Sequence, residues 1–284
     1  MIPAYNSAAL LPDAIASVRA QHWPDLEIIV VDDGSSDHTP EVLQRLAGTD
    51  MRCIRQTNTG PAAARNTGIL AARGQWVAFL DADDLWLPGK LATQFDAIAH
   101  HTEAGFSYTD DRQRYANGEE HERIVGVTGR RLFTELLWGN HLCTPTVIVH
   151  RDCFDQVGLF DPKLRTGEDW DMWLRLSARF EGLYVPRPLS LIRKTANPQK
   201  VDLKTLESCT LRVLNRLFSR KEVGQRYPAV RAQRRQVYAW HCTVLAKSYL
   251  RHYRVPAFLR LALEGLRSHP MTVLHLLPKH AAAS

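Results

Sequence analysis

The chain has 284 residues, of which 45% are hydrophobic and 23% charged, a composition typical of globular proteins and not of disordered ones. No run of eighteen apolar residues occurs and no signal peptide pattern is visible, which argues against a membrane-spanning helix. Residues 1–200 hold 21 Lys and Arg against 26 Asp and Glu, whereas residues 201–284 hold 15 against 4. We therefore expect an acidic domain, residues 1–200, followed by a basic region, residues 201–284.

Helix and strand signals alternate along the first hundred residues. The stretch LLPDAIASVRAQ (10–21) has helical periodicity, and LEIIVVDDG (26–34) is an apolar, β-branched run closed by a turn. HTPEVLQRLAG then predicts a helix with Thr39 as N-cap, and VAFLDADD (77–84) repeats the strand pattern. Weaker strands are expected at 105–109, 145–150 and 182–186. This order predicts an α/β fold with a mostly parallel sheet flanked by helices.

Acidic residues follow the two strong strand signals directly. They are Asp32, Asp33, Asp81, Asp83 and Asp84. Ligands of open α/β sheets bind beyond the carboxyl ends of the strands, so these side chains should share one edge. Negative charges this close together need a positive partner. Asp-x-Asp spacing suits a Mg²⁺ or Mn²⁺ ion whose coordination shell is completed by substrate phosphates. The sequence has no P-loop and no GxGxxG fingerprint, which argues against Walker-type and dinucleotide sites.

From about Val201 the pattern is helical to the end, and basic residues are interleaved with the apolar ones. Apolar residues recur at helical spacing in Val237, Trp240, Val244, Leu245 and Tyr249, and a short amphipathic helix is expected at 255–270. One interpretation is a set of helices with a solvated basic face. Another is peripheral contact with anionic lipid headgroups. A nucleic acid partner is not expected, because no reader motif occurs and the first part of the chain is acidic.

Four blocks in this order resemble the family-two inverting glycosyltransferases, which have the GT-A, Rossmann-like fold and use nucleoside-diphosphate sugars. The blocks are PAYNSAALLPDAIASVRAQ, EIIVVDDGSSDHT, GPAAARNTGILAARGQWVAFLDADDLWLP and RTGEDWDMWLRL. The likeness covers roughly residues 1–195. It implies a nucleotide-sugar-binding and catalytic domain followed by a helical C-terminal appendage.

The resemblance implies a role for each matching residue on the donor side. Pro3, Ala4 and Tyr5 would line the nucleotide base, with Tyr5 stacking on it, and Asp33 would accept a hydrogen bond from the imide of a uracil or thymine. Arg65 would lie near the nucleotide.

Around the transferred sugar, the resemblance implies that Asp81 faces the ribose and Asp83 ligates the metal with help from Asp81. Asp84 would support this site beside the acceptor pocket. Asp169 would be the catalytic base, with Glu168 as the alternative, and Trp170 would shape the acceptor pocket.

The sequence departs from the family pattern in three places. Thr195 stands where many relatives have a histidine, so Arg193 or Lys194 would help to bind the phosphates instead. The Gln-x-x-Arg-Trp block of processive members is absent, which favours transfer of a single sugar. Only Met1 and Ile2 of MIPAYN look like a strand, which indicates either an abnormally short first strand or a start further upstream.

The leading hypothesis is therefore a metal-dependent transferase that moves one sugar from a UDP or dTDP donor to a carbohydrate or lipid-linked acceptor. Scattered cysteines without CxxC spacing favour a cytoplasmic protein, and the basic region would suit the inner face of the membrane, where surface polysaccharides are assembled. The alternatives are a non-catalytic nucleotide-sugar binder, or a homologue inactivated by N-terminal truncation. A sugar nucleotidyltransferase is disfavoured, because MIPAYNSAALL lacks the Gly-rich triphosphate loop.

Overall fold

The computed structural model describes residues 1–194 and 202–272, which form two compact units. The first unit contains residues 1–136 and the described residues from 140 onwards to 194, and the second contains residues 137–139 and 202–272. The predicted boundary at residue 200 lies between the described ranges, and so does Thr195.

The first unit has nine strands and seven α-helices among its described residues. The strands are β1 (Ile2–Ala4), β2 (Ile28–Asp32), β3 (Met51–Arg55), β4 (Trp76–Ala78), β5 (Leu85–Trp86), β6 (Phe106–Arg114), β7 (Glu120–Arg123), β8 (Ile148–His150) and β9 (Gly182–Arg193). The helices are α1 (Leu11–Arg19), α2 (Thr39–Leu46), α3 (Pro61–Ala71), α4 (Lys90–Ala99), α5 (Arg131–Leu136), α6 (Asp152–Val157) and α7 (Glu168–Arg179).

The first sheet is parallel, with the strand order β1-β2-β3, as the sequence predicts. All five residues of β2 are buried, which explains why this strand is a continuous apolar run up to Asp32 and not an alternating pattern. Leu11 and Ile15 of α1 pack in the same cluster as Val30, whereas Ile29 of β2 packs in a separate cluster with Ala64 of α3. Helices α1 and α3 thus cover β2 from both sides and fix the end of the strand, where Asp32 and Asp33 lie.

The second sheet has mixed pairing, so the expectation of a mostly parallel sheet holds only for β1 to β3 and for the pair β6-β9. Its order is β4-β8-β6-β9-β5, with β7 added as a hairpin partner of β6. The pairs β4-β8, β8-β6 and β9-β5 are antiparallel. Two of these pairs are antiparallel because β8 lies between β4 and β6 and runs opposite to both. The third is antiparallel because β5 runs opposite to β9. Hydrogen bonds between Met1 and the backbone of Ala78 and Leu80 link β1 to this second sheet.

Several element boundaries differ from the sequence expectation. Thr39 is the first residue of α2 and not its N-cap, which is His38, and its hydroxyl accepts a hydrogen bond from the backbone N–H of Ser7 at 2.8 Å. Residues 144–146 form a 3₁₀ turn, so that strand begins only at Ile148. The weak strands expected at 105–109 and 182–186 extend to Arg114 and Arg193, because they pair with each other along their length.

The second unit is helical in its described part, as predicted. Its helices are α8 (Leu203–Ser219), α9 (Lys221–Arg226), α10 (Pro228–Ala232), α11 (Arg234–Arg251) and α12 (Val255–Ser268). Val237, Leu245 and Tyr249 are buried as their spacing predicts, whereas Val244 is 44% exposed. Within residues 1–194 and 202–272, none of the helices combines the length and apolarity that a membrane crossing requires.

Candidate active site

The loop after β1 and the loop after β2 are locked together at one end of the first sheet. Asn6 adopts a positive φ of 49°, and its side-chain oxygen accepts a hydrogen bond from the Ser36 backbone N–H at 2.8 Å. In return, the backbone N–H of Asn6 donates to the hydroxyl of Ser35. Of the three residues predicted to line the base, Ala4 is buried and Tyr5 is 43% exposed, so the tyrosine ring is accessible for stacking.

Asp33 is buried and organises the loop that leads into α3. Its Oδ1 accepts hydrogen bonds from Gln56 and the backbone of Thr59, and its Oδ2 accepts one from the backbone of Gly60 at 2.8 Å. A carboxylate has about four acceptor positions, so these three bonds leave one for another donor. The residue thus supports the loop, and its predicted hydrogen bond to the base stays a prediction.

The acidic turn after β4 carries the three aspartates that the sequence singles out. The backbone N–H of Asp84 donates to the carbonyl of Asp81 at 3.1 Å, which closes the turn. Asp84 is buried and accepts a hydrogen bond from the backbone N–H of Arg193 at 2.8 Å, which attaches the turn to the end of β9. Burial, followed by the charges of Asp81 and Asp83, raises the pKa of Asp84 well above its usual range. The role of Asp84 in this geometry is to anchor the turn.

The Asp83 carboxylate makes no ion pair with any residue of the two described ranges, and neither does that of Asp84, which instead accepts the backbone N–H of Arg193. Burial, followed by the negative charge of Asp81, raises the pKa of the Asp83 carboxyl. A raised carboxyl pKa means that burial and like charge outweigh the nearby positive charges of Arg193 and Lys194. No cluster of three or more His, Cys, Asp and Glu side chains able to hold a metal occurs in the described residues. Asp81 and Asp83 nevertheless fit a Mg²⁺ or Mn²⁺ ion of the kind that takes one or two carboxylates and completes its shell with phosphates.

Arg193 lies on the backbone side of the same turn. Its Nε donates to the backbone carbonyl of Asp83, its Nη1 pairs with Asp13 of α1 at 3.0 Å, and its Nη2 donates to the carbonyl of Leu10 at 3.3 Å. These contacts tie β9, the acidic turn and α1 together. Arg193 therefore positions the turn, and a direct contact with the donor phosphates stays a prediction.

Arg65 of α3 joins the acidic turn to the start of α7. It is 5% exposed; its Nη2 pairs with Asp81 at 2.8 Å and its Nη1 with Glu168 at 2.7 Å. Its guanidinium also lies 5.6 Å from the ring centre of Phe160. Burial opposes the charge, but the carboxylates of Asp81 and Glu168 outweigh it and raise the pKa of Arg65. The sequence predicts a nucleotide contact for Arg65, whereas its observed contacts are with these two acids.

The first residues of α7 supply the two acids predicted as the base. Gly167 precedes the helix with a φ of 71°, and Glu168, Asp169 and Asp171 occupy its first turn, where the helix dipole favours negative charge. Asp169 accepts hydrogen bonds from the Asn140 amide and from the Trp170 backbone, both at 2.7 Å. Burial, followed by the charge of Glu168, raises the pKa of Asp169 to about 6. Asp169 is thus near the pKa that a general base requires at neutral pH.

Trp170 and Asp171 fix the orientation of α7. The Trp170 indole is buried and donates to the carbonyl of Leu136 at 2.7 Å. Asp171 pairs with Arg175 one turn later, and Arg175 donates to the backbone carbonyls of Val157 and Gly158. The second aspartate of GEDWD is therefore structural, and the first remains available for chemistry.

A sequence family model described as glycosyl transferase family 2 matches residues 1–158. The chain belongs to glycosyl transferase family 2. Among its relatives, the uncharacterised glycosyltransferase of Rickettsia felis is 32% identical over 196 residues, which are 68% of this chain and 32% of that protein. TuaG of Bacillus subtilis, whose name assigns it to teichuronic acid biosynthesis, is 32% identical over 61% of this chain and 69% of its own length. The chain thus spans about a third of the Rickettsia felis relative.

The solved structures that resemble this family-2 chain support the predicted fold class. The superposition on S. aureus TarS 1-349 covers 97% of this chain and 82% of the TarS chain, with a TM-score of 0.69 and 17% sequence identity. Its complex with UDP-GlcNAc gives a TM-score of 0.71 at 18% identity with the same coverage. At this identity the likeness shows the fold alone. It confirms an α/β, GT-A architecture with a C-terminal helical region.

The family-2 site also contains residues that the sequence analysis did not single out. Asn6 holds the two loops at the predicted base-binding end, and Asn140 holds the Asp169 carboxylate. Neither is adjacent in sequence to the residue it contacts, so no local spacing indicates the pair. The positive φ of Asn6 is consistent with asparagine, which tolerates that backbone region better than most residues.

Proposed function

We propose that this protein is an inverting, metal-dependent glycosyltransferase that moves one sugar from a nucleoside-diphosphate donor to an acceptor hydroxyl. The observation that carries the proposal is the Arg65 bridge, which joins Asp81 of the acidic turn to Glu168 beside Asp169. Inverting transfer is a single in-line displacement, and it needs a leaving-group site and a base as neighbours. The bridge supplies that neighbourhood from three separate parts of the chain.

On the donor side, Asp81 and Asp83 would hold Mg²⁺ or Mn²⁺ against the diphosphate. When bound, the ion supplies Lewis-acid stabilisation of the charge that develops on the departing nucleoside diphosphate. Two hydrogen bonds from Arg193 hold the turn in place. Its backbone N–H donates to the Asp84 carboxylate, and its Nε donates to the backbone carbonyl of Asp83. Tyr5, partly exposed at the interlocked loops, would stack on the base, with Pro3, Ala4 and Asp33 around it.

On the acceptor side, Asp169 is better suited than Glu168 to take the proton. Glu168 is bound to Arg65 at 2.7 Å, and abstraction of a proton would neutralise one partner of a buried ion pair. Within the two described ranges, the hydrogen-bond donors to Asp169 are neutral, namely the Asn140 amide and the Trp170 backbone. Asn140 donates to Oδ2 and the Trp170 N–H to Oδ1, which would fix the plane of the carboxylate and leave a second acceptor position on each oxygen for the acceptor hydroxyl. Trp170 would form a wall of the acceptor pocket.

Substrate class is supported by the comparisons only at a coarse level. Two of the TarS structures are complexes with UDP-GlcNAc and with UDP, which supports a uridine-type donor for a chain of the same fold. TuaG is named for teichuronic acid biosynthesis, which supports a carbohydrate acceptor, and we propose that this acceptor is a surface glycan or its lipid-linked precursor. A non-catalytic nucleotide-sugar binder would use the same donor side but would need no base.

The test is nucleotide release from UDP-sugars and dTDP-sugars with and without Mn²⁺, in the presence of simple sugar acceptors and over a range of pH. Because the base must be ionised, kcat/KM should fall about tenfold per pH unit below the Asp169 pKa of about 6 and be constant above it. Binding of a nucleotide sugar without release under any condition would support the non-catalytic alternative. A rate that does not change between about pH 5 and pH 8 would contradict Asp169 as the base.

A further inference from the structure

Helix α12 of the second unit has two apolar faces, of which only one is buried. Leu261, Ala262 and Gly265 lie on the buried face, against an α11 cluster that includes Leu245 and Tyr249. A neighbouring stripe carries Val255, Leu259 and Leu263, which are 48%, 52% and 53% exposed. We define these three residues as the outer face. They are spaced four residues apart, so they form one stripe along the helix.

Two further exposed apolar residues come just before α12 in the chain. Leu250 at the end of α11 is 47% exposed, and Tyr253 in the loop is 91% exposed, with a positive φ of 57°. Single exposed apolar residues are ordinary on protein surfaces, but five within fourteen residues, three of them on one helix stripe, indicate an interaction site. The second unit thus presents a leucine-rich helix face that is preceded in the chain by an exposed tyrosine.

Basic residues flank this apolar surface. Arg251 and Arg254 are exposed beside Tyr253, and Arg267 is exposed one turn after Leu263. Arg260 is held by Glu207 at 2.7 Å, and Glu264 is the acidic residue on the exposed part of the helix. Residues 201–284 hold 15 Lys and Arg against 4 Asp and Glu. The exposed charged residues next to the outer face in sequence are therefore mostly positive, with Arg251, Arg254 and Arg267 against Glu264.

We propose that the outer face of α12 and the adjoining loop bind an anionic lipid surface. The apolar stripe would enter the boundary between headgroups and acyl chains, the tyrosine would lie at the interface, and the arginines would contact the headgroup phosphates. Charge complementarity selects this occupant. A second copy of the chain would bring two positive surfaces together, and nucleic acid would leave the leucines exposed to water. The proposal does not depend on the transferase function.

The experiment is co-sedimentation of the full chain with vesicles of phosphatidylcholine alone and of phosphatidylcholine mixed with phosphatidylglycerol. We expect binding to the mixed vesicles, weakening as salt is raised, and little binding to phosphatidylcholine. The double substitution Leu259→Ser and Leu263→Ser should weaken binding about tenfold or more, because the leucines would lose their burial in lipid. Arg251→Glu with Arg254→Glu should weaken binding to the mixed vesicles specifically.

Matched controls come from the first unit. Leu70 is 74% exposed on α3, and the Arg131 side chain is 81% exposed, so Leu70→Ser and Arg131→Glu should leave vesicle binding unchanged. Circular dichroism of each variant shows whether it is folded. Equal binding of the leucine double variant and the parent would overturn the proposal. It would equally be overturned if the parent bound no vesicle but formed a dimer that the double variant could not form.

Discussion

Substitution of Asp169 by asparagine is expected to lower kcat by a factor of roughly 100 to 10,000. The amide cannot accept the acceptor's proton, but it keeps the shape of the side chain and an oxygen for the Asn140 amide. Binding of the nucleotide should be unchanged, because the donor side uses other residues. Steady-state kinetics together with calorimetric titration of UDP measure both quantities on the same preparation.

The stability of this variant gives an independent check. Because the folded state raises the pKa of Asp169 to about 6, the charged carboxylate is less favourable there than in the unfolded chain above that pH. The free energy of unfolding of Asp169→Asn at about pH 8 should therefore equal or exceed that of the parent. Asp152→Asn, at a carboxylate with 70% side-chain exposure on α6, is the matched control and should retain full activity. Full activity of Asp169→Asn would refute the assignment of the base.

Substitution of Arg65 by methionine is expected to lower the free energy of unfolding by about 3–5 kcal/mol. Methionine keeps much of the side-chain volume, but it leaves Glu168 and Asp81 without their cation. An uncompensated buried charge is costly, so the melting temperature should fall by about 10 °C for a domain of this size. Activity should also fall, because the relative position of the acidic turn and α7 depends on this bridge.

Arg19 offers a matched control for the Arg65 substitution. It makes a two-pronged contact with Asp50, with both N–O distances at 2.8–2.9 Å, but its side chain is 36% exposed. Exposed ion pairs contribute about 1 kcal/mol or less, so Arg19→Met should have a small effect on unfolding and none on activity. Chemical denaturation of both variants tests the difference. If the two substitutions destabilised the protein equally, Arg65 would not be the buried bridge described above.

The sequence predicts the strand ends well, because local pattern determines them. Apolar runs that stop at Asp32 and shortly before the acidic turn indicate where β2 and β4 end, and the shared edge for their aspartates stays a prediction. The mixed second sheet could not be predicted in this way, since the direction in which β8 enters depends on contacts distant in the chain. Short strands such as β4 and β8 also carry too few residues for a clear period.

The functional residues also divide into those that local sequence indicates and those that depend on distant contacts. Asp81, Asp83 and Asp169 are visible as acids at a strand end and a helix start. The partners that set their properties are not, because Arg65 is 103 residues from Glu168, and Asn140 is 29 residues from Asp169. Arg193 illustrates the converse, since the sequence predicts a role with the donor phosphates, whereas its contacts with Asp13 and Leu10 depend on how α1 packs.

The central claim is that the acidic turn holds a divalent ion against the donor diphosphate, and its most direct test is calorimetric titration of UDP with and without Mn²⁺ on the parent and on Asp83→Asn. The parent should bind UDP at least about tenfold more tightly with Mn²⁺ than without it, and Asp83→Asn should lose this difference because the ion loses a charged ligand. Asp152→Asn should behave as the parent. Equal enhancement by Mn²⁺ in the parent and in Asp83→Asn would contradict the claim.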